Sequence, residues 1–231
     1  MYREKALQDA RANASVHHPV FSRLRPLLIK RADERGMAAR RARLLDGLHG
    51  RVIELGAGTG ATFLHYPRTV SGIVAVEPEA SLRRLATAEA ARAPVPVRVI
   101  DGVAEHLPVE EAAFDAAVAC NTLCSVRNPA LAAAELHRVL RPGGVLRFHE
   151  HVISEHPAVA NIQRAADATL WPFLSGGCHL GRDTLAELQR AGFVIERCER
   201  TSGMRAVGPP KSYVLGSGRR SPVTAVLPAR P

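Results

Sequence analysis

A glycine-rich segment followed by an acidic residue is the part of this chain whose residue types point most directly to chemistry. Glu54, Gly56, Gly58 and Gly60 form the pattern E-x-G-x-G-x-G within the run VIELGAGTG. Glycine permits positive φ and leaves no Cβ between backbone and ligand, so a nucleotide-like cofactor can lie against such a turn at a helix N-terminus. Glu77 follows 17 positions after the last glycine. Its carboxylate can accept hydrogen bonds from both hydroxyls of a ribose.

Alternating strands and helices surround these residues. Apolar runs predict strands at 51–55, 72–76, 95–100, 114–119 and 144–150, with helices from about 60 and at 79–92 and 129–139. Later segments predict helices at 156–174 and 181–191 and strands at 193–199 and near 211–215. This alternation favours an α/β fold with a Rossmann-like, doubly wound and mostly parallel sheet.

Length and composition indicate one α/β domain with flanking segments. A chain of 231 residues is long enough to bury a continuous sheet between two helical layers. Residues 3–14 and 20–48 predict helices before the first strand. We therefore predict an N-terminal helical cap at 1–49, a core domain at 50–216 and a flexible basic tail at 217–231.

Further motifs follow at the ends of the predicted strands. DGVAEHLP at 101–108 follows the third strand, FDAAVA at 114–119 is the fourth, and LRPGGVL at 140–146 contains a helix end, a turn and the start of the fifth. Unlike in the dinucleotide fingerprint, the third glycine of the turn comes only two positions after the second. Over about residues 50–200 this succession resembles the class I S-adenosylmethionine-dependent methyltransferases of the methyltransferase type 11 kind. The resemblance implies a seven-stranded sheet with an antiparallel last strand.

The resemblance also implies S-adenosylmethionine as the cofactor and assigns residues to its parts. The glycine turn would hold the methionine portion, Glu77 the ribose, and the loop at 101–105 the adenine, with the helical cap covering the site. The expected cofactor-binding residues are Glu54, Gly56, Ala57, Gly58, Thr59, Gly60, Glu77, Pro78, Gly102, Val103, Ala104, Glu105, Asn121, Thr122 and Leu123. For Glu54 and Glu105 an alternative stays open, because either carboxylate could cap a helix or pair with an arginine.

Shorter segments narrow the resemblance to one branch of these enzymes. The segments are FLHYP at 63–67, TLCSVRN at 122–128, EHV at 150–152, and GC followed by RDT at 177–184. They resemble the branch that contains the membrane-associated alkyl thiol S-methyltransferases of animals and nearby bacterial small-molecule methyltransferases. Thr62 stands where that branch often has Asn, and the animal enzymes' hydrophobic N-terminal anchor has no counterpart. Thiol specificity and membrane attachment therefore stay open.

The catalytic candidates are histidines near the end of the fifth strand. A sulfonium is already an activated methyl donor, so the protein must chiefly align a nucleophile and exclude water. His151 is the first candidate and His149 the second, since ligands of open α/β sheets lie at the carboxyl ends of strands. Alternate residues of a strand share a face, so these two side chains are expected to point together and Glu150 away. A purely structural role for His151 is the alternative.

Aromatic and sulfur-containing residues are candidates for an acceptor pocket. We expect Tyr66, Trp171, Cys178 and His179 to line it, with Phe173 nearby. Plain packing is the alternative for both Trp171 and Phe173.

Cysteine usage and hydropathy indicate a reduced, non-membrane environment. Cys120, Cys124, Cys178 and Cys198 contain no C-x-x-C pair, so we expect free thiols and no metal site. No apolar run approaches the ~20 residues of a bilayer span. We expect a cytoplasmic protein.

Positive charge is concentrated at the two ends of the chain. Of the net charge of +9, residues 1–51 contribute +7 from 12 Lys and Arg against 5 Asp and Glu, 197–231 contribute +6, and 52–196 contribute −4. The arginines at 31, 35, 40, 41 and 43 suit a solvated helix face, with phosphate binding or peripheral contact with an anionic membrane as the alternative.

Three functions are compatible with these patterns. The first is methyl transfer to a small-molecule acceptor, whether a thiol, a hydroxyl or an amine. The second is RNA methylation, against which the fourth strand exits through CNTL rather than the N/D-P-P-Y motif of enzymes that methylate nucleic-acid amino groups. The third is a cofactor-binding module without catalysis. The sequence does not indicate an oligomeric state.

Overall fold

One mixed sheet of seven strands, in the order β3-β2-β1-β4-β5-β7-β6, organises the protein. The computed structural model describes residues 19–203 and 208–221. The strands are β1 Gly50–Leu55, β2 Val70–Val76, β3 Val97–Ile100, β4 Phe114–Cys120, β5 Leu140–Val152, β6 Phe193–Gly203 and β7 Lys211–Arg220. The helices are α1 Pro19–Asp33, α2 Met37–Leu45, α3 Ala80–Ala90, α4 Pro129–Val139, α5 Pro157–Asp167, α6 Trp171–Leu174 and α7 Thr184–Arg190, and a short 3-10 helix spans Phe63–His65.

Strand pairing confirms the predicted fold class. Strand β1 pairs in parallel with β2 on one side and β4 on the other, and β3 and β5 extend the parallel part. Strand β7 is antiparallel to both of its neighbours, β5 and β6. The strand order reverses between β1 and β4, and open α/β sheets bind their ligands outside the carboxyl ends of the strands at such a point.

The alternation of side chains along the central strands divides the core into two layers. Ile53 and Leu55 of β1 pack in one apolar cluster, and Val52 packs in the other. Ala117 and Val118 of β4 divide between the same two clusters. Because strands buried on both faces are apolar throughout, the polar residues of the site are confined to the strand ends.

The segment after the glycine turn differs from the prediction. No α-helix begins near residue 60 among the described residues, since a turn leads into the 3-10 helix Phe63–His65. Thr62 and Tyr66 both direct their hydroxyls to the buried carboxylate of Glu54, which holds this segment in a tight turn. Pro67 also disfavours helical backbone at the residue before it. The prediction of a helix from about residue 60 is therefore wrong.

Several predicted boundaries are also wrong. The helix predicted at 20–48 is broken at Gly36, whose φ of 89° is left-handed, and the one at 156–174 divides into α5 and α6. Strand β7 continues to Arg220 and pairs there with β6, so a tail from 217 begins too early. The predicted helix at 3–14 and most of the tail lie outside the described residues, and the division into domains stays a prediction. In the described part no helix has the length and apolarity to cross a membrane.

Candidate functional site

The glycine turn at the end of β1 has the backbone that its sequence predicted. Gly56, Gly58 and Gly60 have φ of 61°, 57° and 81°, all in the left-handed region. A Cβ on Gly56 would lie 2.5 Å from Oγ1 of Thr122, and one on Gly60 would lie 2.8 Å from the ring of Phe63. Both conformation and space therefore require glycine. Ala57 and Thr59 lie between these glycines in the turn.

Glu77 lies against this turn from the end of β2. Its Oε2 accepts a hydrogen bond from the Gly58 N–H at 2.7 Å, and its Oε1 accepts one from the Glu79 N–H at 3.0 Å. Burial raises the pKa of this carboxyl, while the two N–H donors oppose the shift. Each carboxylate oxygen has a further lone pair for a ligand hydroxyl. Pro78 follows directly, and its carbonyl accepts from Arg83 at 2.9 Å.

Glu54 lies beneath the turn with two hydroxyl donors. Thr62 Oγ1 donates to its Oε1 at 2.5 Å, and the Tyr66 hydroxyl donates to its Oε2 at 2.8 Å. Burial raises the pKa of Glu54 to about 7. Tyr66 is 3% exposed and packs in the core, and its place in the acceptor pocket stays a prediction. A buried phenol needs a hydrogen-bond partner, and Glu54 supplies one.

The loop predicted to line the adenine is packed against the sheet. A Cβ on Gly102 would lie 2.8 Å from Cδ of Pro108, so this position has no space for a side chain. Glu105 Oε1 accepts the N–H groups of Arg127 and Asn128 at 2.8 and 3.0 Å, immediately before α4. Glu105 thus fixes the two residues that lead into α4, whose N-cap is the side chain of Asn128. Val103 and Ala104 lie between these two points, Val103 bridging to His106.

The exit of β4 is tied to the exit of β1. Thr122 Oγ1 donates to the Leu55 carbonyl at 2.9 Å. Asn121 has a φ of 55°, uncommon outside glycine, and its N–H donates to the His149 carbonyl at 2.7 Å. Of the predicted residues Asn121, Thr122 and Leu123, Thr122 therefore lies against the glycine turn.

Glu150 fixes the same loop from β5, a role that the sequence did not indicate. Its Oε1 accepts the N–H groups of Thr122 and Leu123 at 2.8 and 3.0 Å, and its Oε2 accepts that of Cys124 at 3.1 Å. The side chain is fully buried, and burial raises its pKa well above the usual value. In the sequence it is a single acid between two histidines at the end of the predicted fifth strand.

Next to this loop, two thiols and an imidazole meet. Nδ1 of His151 lies 3.5 Å from Sγ of Cys124 and 3.3 Å from Sγ of Cys178, and the two sulfurs are 3.6 Å apart. The hydrogen bond between the thiols, followed by burial, raises the pKa of Cys124 to about 12. Nε2 of His151 is buried without a hydrogen-bond partner among the described residues. Spacing in sequence gave no sign of this cluster, because its members come from three separate segments.

The two candidate histidines share a face of β5, as predicted. The rings of His149 and His151 lie 5.5 and 4.5 Å from the ring of Tyr213 on β7. His149 is 2% exposed, and burial lowers its pKa to about 4. The expectation that Glu150 points to the opposite side agrees with the alternation along β5, because its neighbours on that face, Phe148 and Val152, pack in the cluster of Ile53 and Leu55.

The remaining pocket candidates divide between the cluster and the surface. Trp171 packs against Cys124 and Cys178. The N–H of His179 donates to the Cys124 carbonyl at 2.8 Å, which places its backbone beside the cluster. Phe173 is 69% exposed and does not line this place.

Arg25, whose place in the sequence does not single it out, lies over the glycine turn. An Nη2 of Arg25, on α1, would be 3.9 Å from a Cβ built on Gly58. Burial lowers the pKa of this guanidinium, and the nearby Glu77 raises it. The helical cap therefore brings a cation to the predicted cofactor site. No spacing rule distinguishes Arg25 from the other arginines of the cap.

Comparisons with known proteins agree with this geometry. A family model described as a methyltransferase domain matches residues 53–148. Thiol S-methyltransferase TMT1B of Mus musculus is 36% identical over 154 residues, 64% of this chain and 63% of that protein. The Homo sapiens protein of the same name is 32% identical over 177 residues, 74% of this chain and 72% of that protein. The chain thus spans just under two thirds of the mouse relative's length.

A solved structure shows the same fold. It is a SAM-dependent methyltransferase of Thermotoga maritima, described as a possible histamine N-methyltransferase, with 20% identity and a TM-score of 0.63 over 89% of this chain and 100% of that one. At this identity the likeness concerns the fold alone. The similarity to the human protein covers enough of both chains to show common descent, and the chain belongs to the methyltransferase family that includes the thiol S-methyltransferases of mouse and human.

Proposed function

We propose that this protein uses S-adenosylmethionine to methylate a small thiol. The observation that carries the proposal is the position of Glu77, whose carboxylate touches the Cβ-free glycine turn at the point where the strand order reverses. That arrangement suits a ligand with two adjacent hydroxyls and a chain that lies directly on the backbone. S-Adenosylmethionine has both features.

Different residues of the chain would bind different parts of the cofactor. Glu77 would accept from the ribose hydroxyls, the turn Gly56 to Gly60 would lie against the methionine portion, and Arg25 would pair with its carboxylate. The adenine would lie along the loop at 101–105. The bound cofactor supplies an activated methyl group. The protein's task is then to align the acceptor with the methyl group. In well-oriented reactions, such alignment lowers the activation barrier by about 7–11 kcal/mol.

The acceptor would lie between Thr122 and His151. Support for a thiol comes from the names of the mouse and human relatives and from the two cysteines and Trp171 that surround His151. His151 would hold the acceptor sulfur as a thiolate, because the thiolate is the nucleophilic form. His149 is buried and stacked on Tyr213, so we assign it to positioning rather than to proton transfer.

RNA receives less support as the acceptor. Several basic residues that suggested it are paired with acids, including Arg41 with Asp33, Arg43 with Glu199 and Arg219 with Glu196. Each pair removes a cation from a potential phosphate-binding face. Peripheral membrane contact and a cytoplasmic location stay predictions.

The test is a methyl-transfer assay with labelled cofactor and separate acceptors: small thiols, phenols, amines and bulk RNA. We expect methyl thioethers as the main product, with little dependence on ionic strength. Preferred methylation of RNA, with affinity falling by about 0.7 log units per log unit of salt for each phosphate contact, would establish the alternative. A folded protein that binds the cofactor and methylates nothing would be a binding module.

A further inference from the structure

We propose that Cys124, Cys178 and His151 bind a zinc-type divalent metal ion. Their ligand atoms, two Sγ and one Nδ1, lie within 4.8 Å of one another in a partly buried cluster. They come from the loop after β4, from β5, and from the loop before α7. A metal here would be contrary to the expectation drawn from the cysteine spacing alone, because the three ligands come from separate segments.

The separations match those of a tetrahedral site. Bonds of about 2.3 Å to sulfur and about 2.05 Å to nitrogen, at tetrahedral angles, place two sulfurs about 3.8 Å apart and each sulfur about 3.6 Å from the nitrogen. The observed distances are 3.6 Å between the sulfurs and 3.5 and 3.3 Å from sulfur to Nδ1. All three agree with the expected edges to within about 0.3 Å. A disulfide, in contrast, needs sulfurs about 2.05 Å apart.

The chemistry of the donors selects the ion. Two sulfurs and one imidazole suit a borderline-soft ion such as Zn²⁺ and do not suit Mg²⁺ or Ca²⁺, which prefer oxygen ligands. The charge of the ligands suits the ion as well. Two thiolates would neutralise the divalent ion, and Arg182 lies beside the cluster, where its Nη1 donates to the Leu123 carbonyl at 3.0 Å.

The number of ligands predicts an exchangeable position. Structural zinc sites have four protein ligands, whereas catalytic ones have three and keep one position for water or substrate. Among the described residues the cluster contains three His, Cys, Asp or Glu side chains and no fourth. If the proposed function is correct, the acceptor sulfur would occupy this fourth position. Coordination would convert the acceptor thiol into the nucleophilic thiolate, because a coordinated thiol loses its proton. With the metal bound, the ion would hold the acceptor thiolate and His151 would serve as one of its ligands. Without the metal, His151 alone would hold the thiolate.

Cobalt titration of the reduced, metal-free full-length protein tests the site without cofactor or acceptor. We expect saturation at about one Co²⁺ per chain, with a thiolate-to-cobalt charge-transfer band and tetrahedral ligand-field bands, and displacement by Zn²⁺. Cys124→Ser and Cys178→Ser should each weaken binding by at least about tenfold and diminish the charge-transfer band. Cys198→Ser is the matched control, since its thiol is exposed on the edge strand β6 and is not a member of the cluster, and it should change nothing.

Several results would overturn the site. A folded wild-type protein with titratable thiols and no charge-transfer band contradicts it, and so does binding that survives both cluster substitutions. Zn²⁺ that fails to protect the two cysteines from a thiol reagent also contradicts it. Adding a small thiol to the cobalt protein should shift the bands, and an unchanged spectrum would refute the open position. Metal binding without methyl transfer to any thiol would refute the proposed function and leave the metal site standing.

Discussion

The carboxylate of Glu150 accepts a hydrogen bond from the backbone N–H of Thr122 at 2.8 Å, so a buried acid at the end of β5 fixes the loop that leaves β4. The same carboxylate also accepts from the N–H groups of Leu123 and Cys124. One side chain thereby places both the residue that touches the glycine turn and a residue of the sulfur cluster.

Replacing this acid should loosen the loop. In Glu150→Gln one acceptor oxygen becomes an NH₂ group, which faces a backbone N–H and cannot bond to it. We expect a loss of about 1–3 kcal/mol in the free energy of unfolding, measured in urea. Glu155→Gln is the control, because that side chain is 78% exposed and should change stability little. Equal stability of both variants would show that Glu150 does not hold the loop.

Glu77 is expected to govern cofactor affinity. Glu77→Ala removes the acceptor for the ribose hydroxyls and should weaken binding of the cofactor or its demethylated product by about 1.5–3 kcal/mol. Isothermal titration calorimetry measures the change, and circular dichroism verifies that the variant is folded. An unaltered dissociation constant in the folded variant would refute the ribose role.

Glu54 should make stability depend on pH in a specific direction. Its folded pKa of about 7 lies above the ordinary 4.5, so folding retains a proton that the unfolded chain releases between these values. The resulting stability is fully present below pH 4.5 and is lost as the pH rises to about 7, on the order of 3 kcal/mol in total. Glu54→Gln should remove this component. The free energy of unfolding is measured against pH for both proteins, and all other titratable groups contribute equally to both. If the two plots are parallel, the assignment is contradicted.

Arg25 should matter for the cofactor because the cap holds it over Gly58. Arg25→Ala is expected to raise the dissociation constant for S-adenosylhomocysteine about tenfold, which corresponds to one charged hydrogen bond. Arg31→Ala, an exposed arginine on the same helix, provides the control and should bind like wild type. If both variants lose affinity equally, the effect belongs to the net charge of the cap rather than to a contact.

The parts of the fold that follow local rules were predictable. The glycines with positive φ, the helix Pro129–Val139 and the parallel central strands follow from backbone sterics and from side-chain periodicity. The segment after the glycine turn was not predictable in this way. There the buried carboxylate of Glu54 accepts hydrogen bonds from the hydroxyls of Thr62 and Tyr66, and these contacts form only on folding.

The part of the site formed by residues close together in the sequence was predictable. Glu77 lies beside the turn as its distance in sequence suggested, but the cluster of Cys124, His151 and Cys178 joins residues far apart in the chain. Which strand ends become neighbours depends on the order of strands in the sheet. The spacing of residues along one sequence does not reveal the order of the strands in the sheet.

The central claim is that the edge between β1 and β4 binds S-adenosylmethionine, and one calorimetric experiment tests it most directly. Purified protein is titrated in parallel with S-adenosylmethionine, S-adenosylhomocysteine, NAD and NADP. We predict binding of the two S-adenosyl ligands at about one per chain and no measurable heat from the dinucleotides, since the turn departs from the dinucleotide fingerprint. Binding of NAD or NADP as tight as that of S-adenosylmethionine would contradict the account.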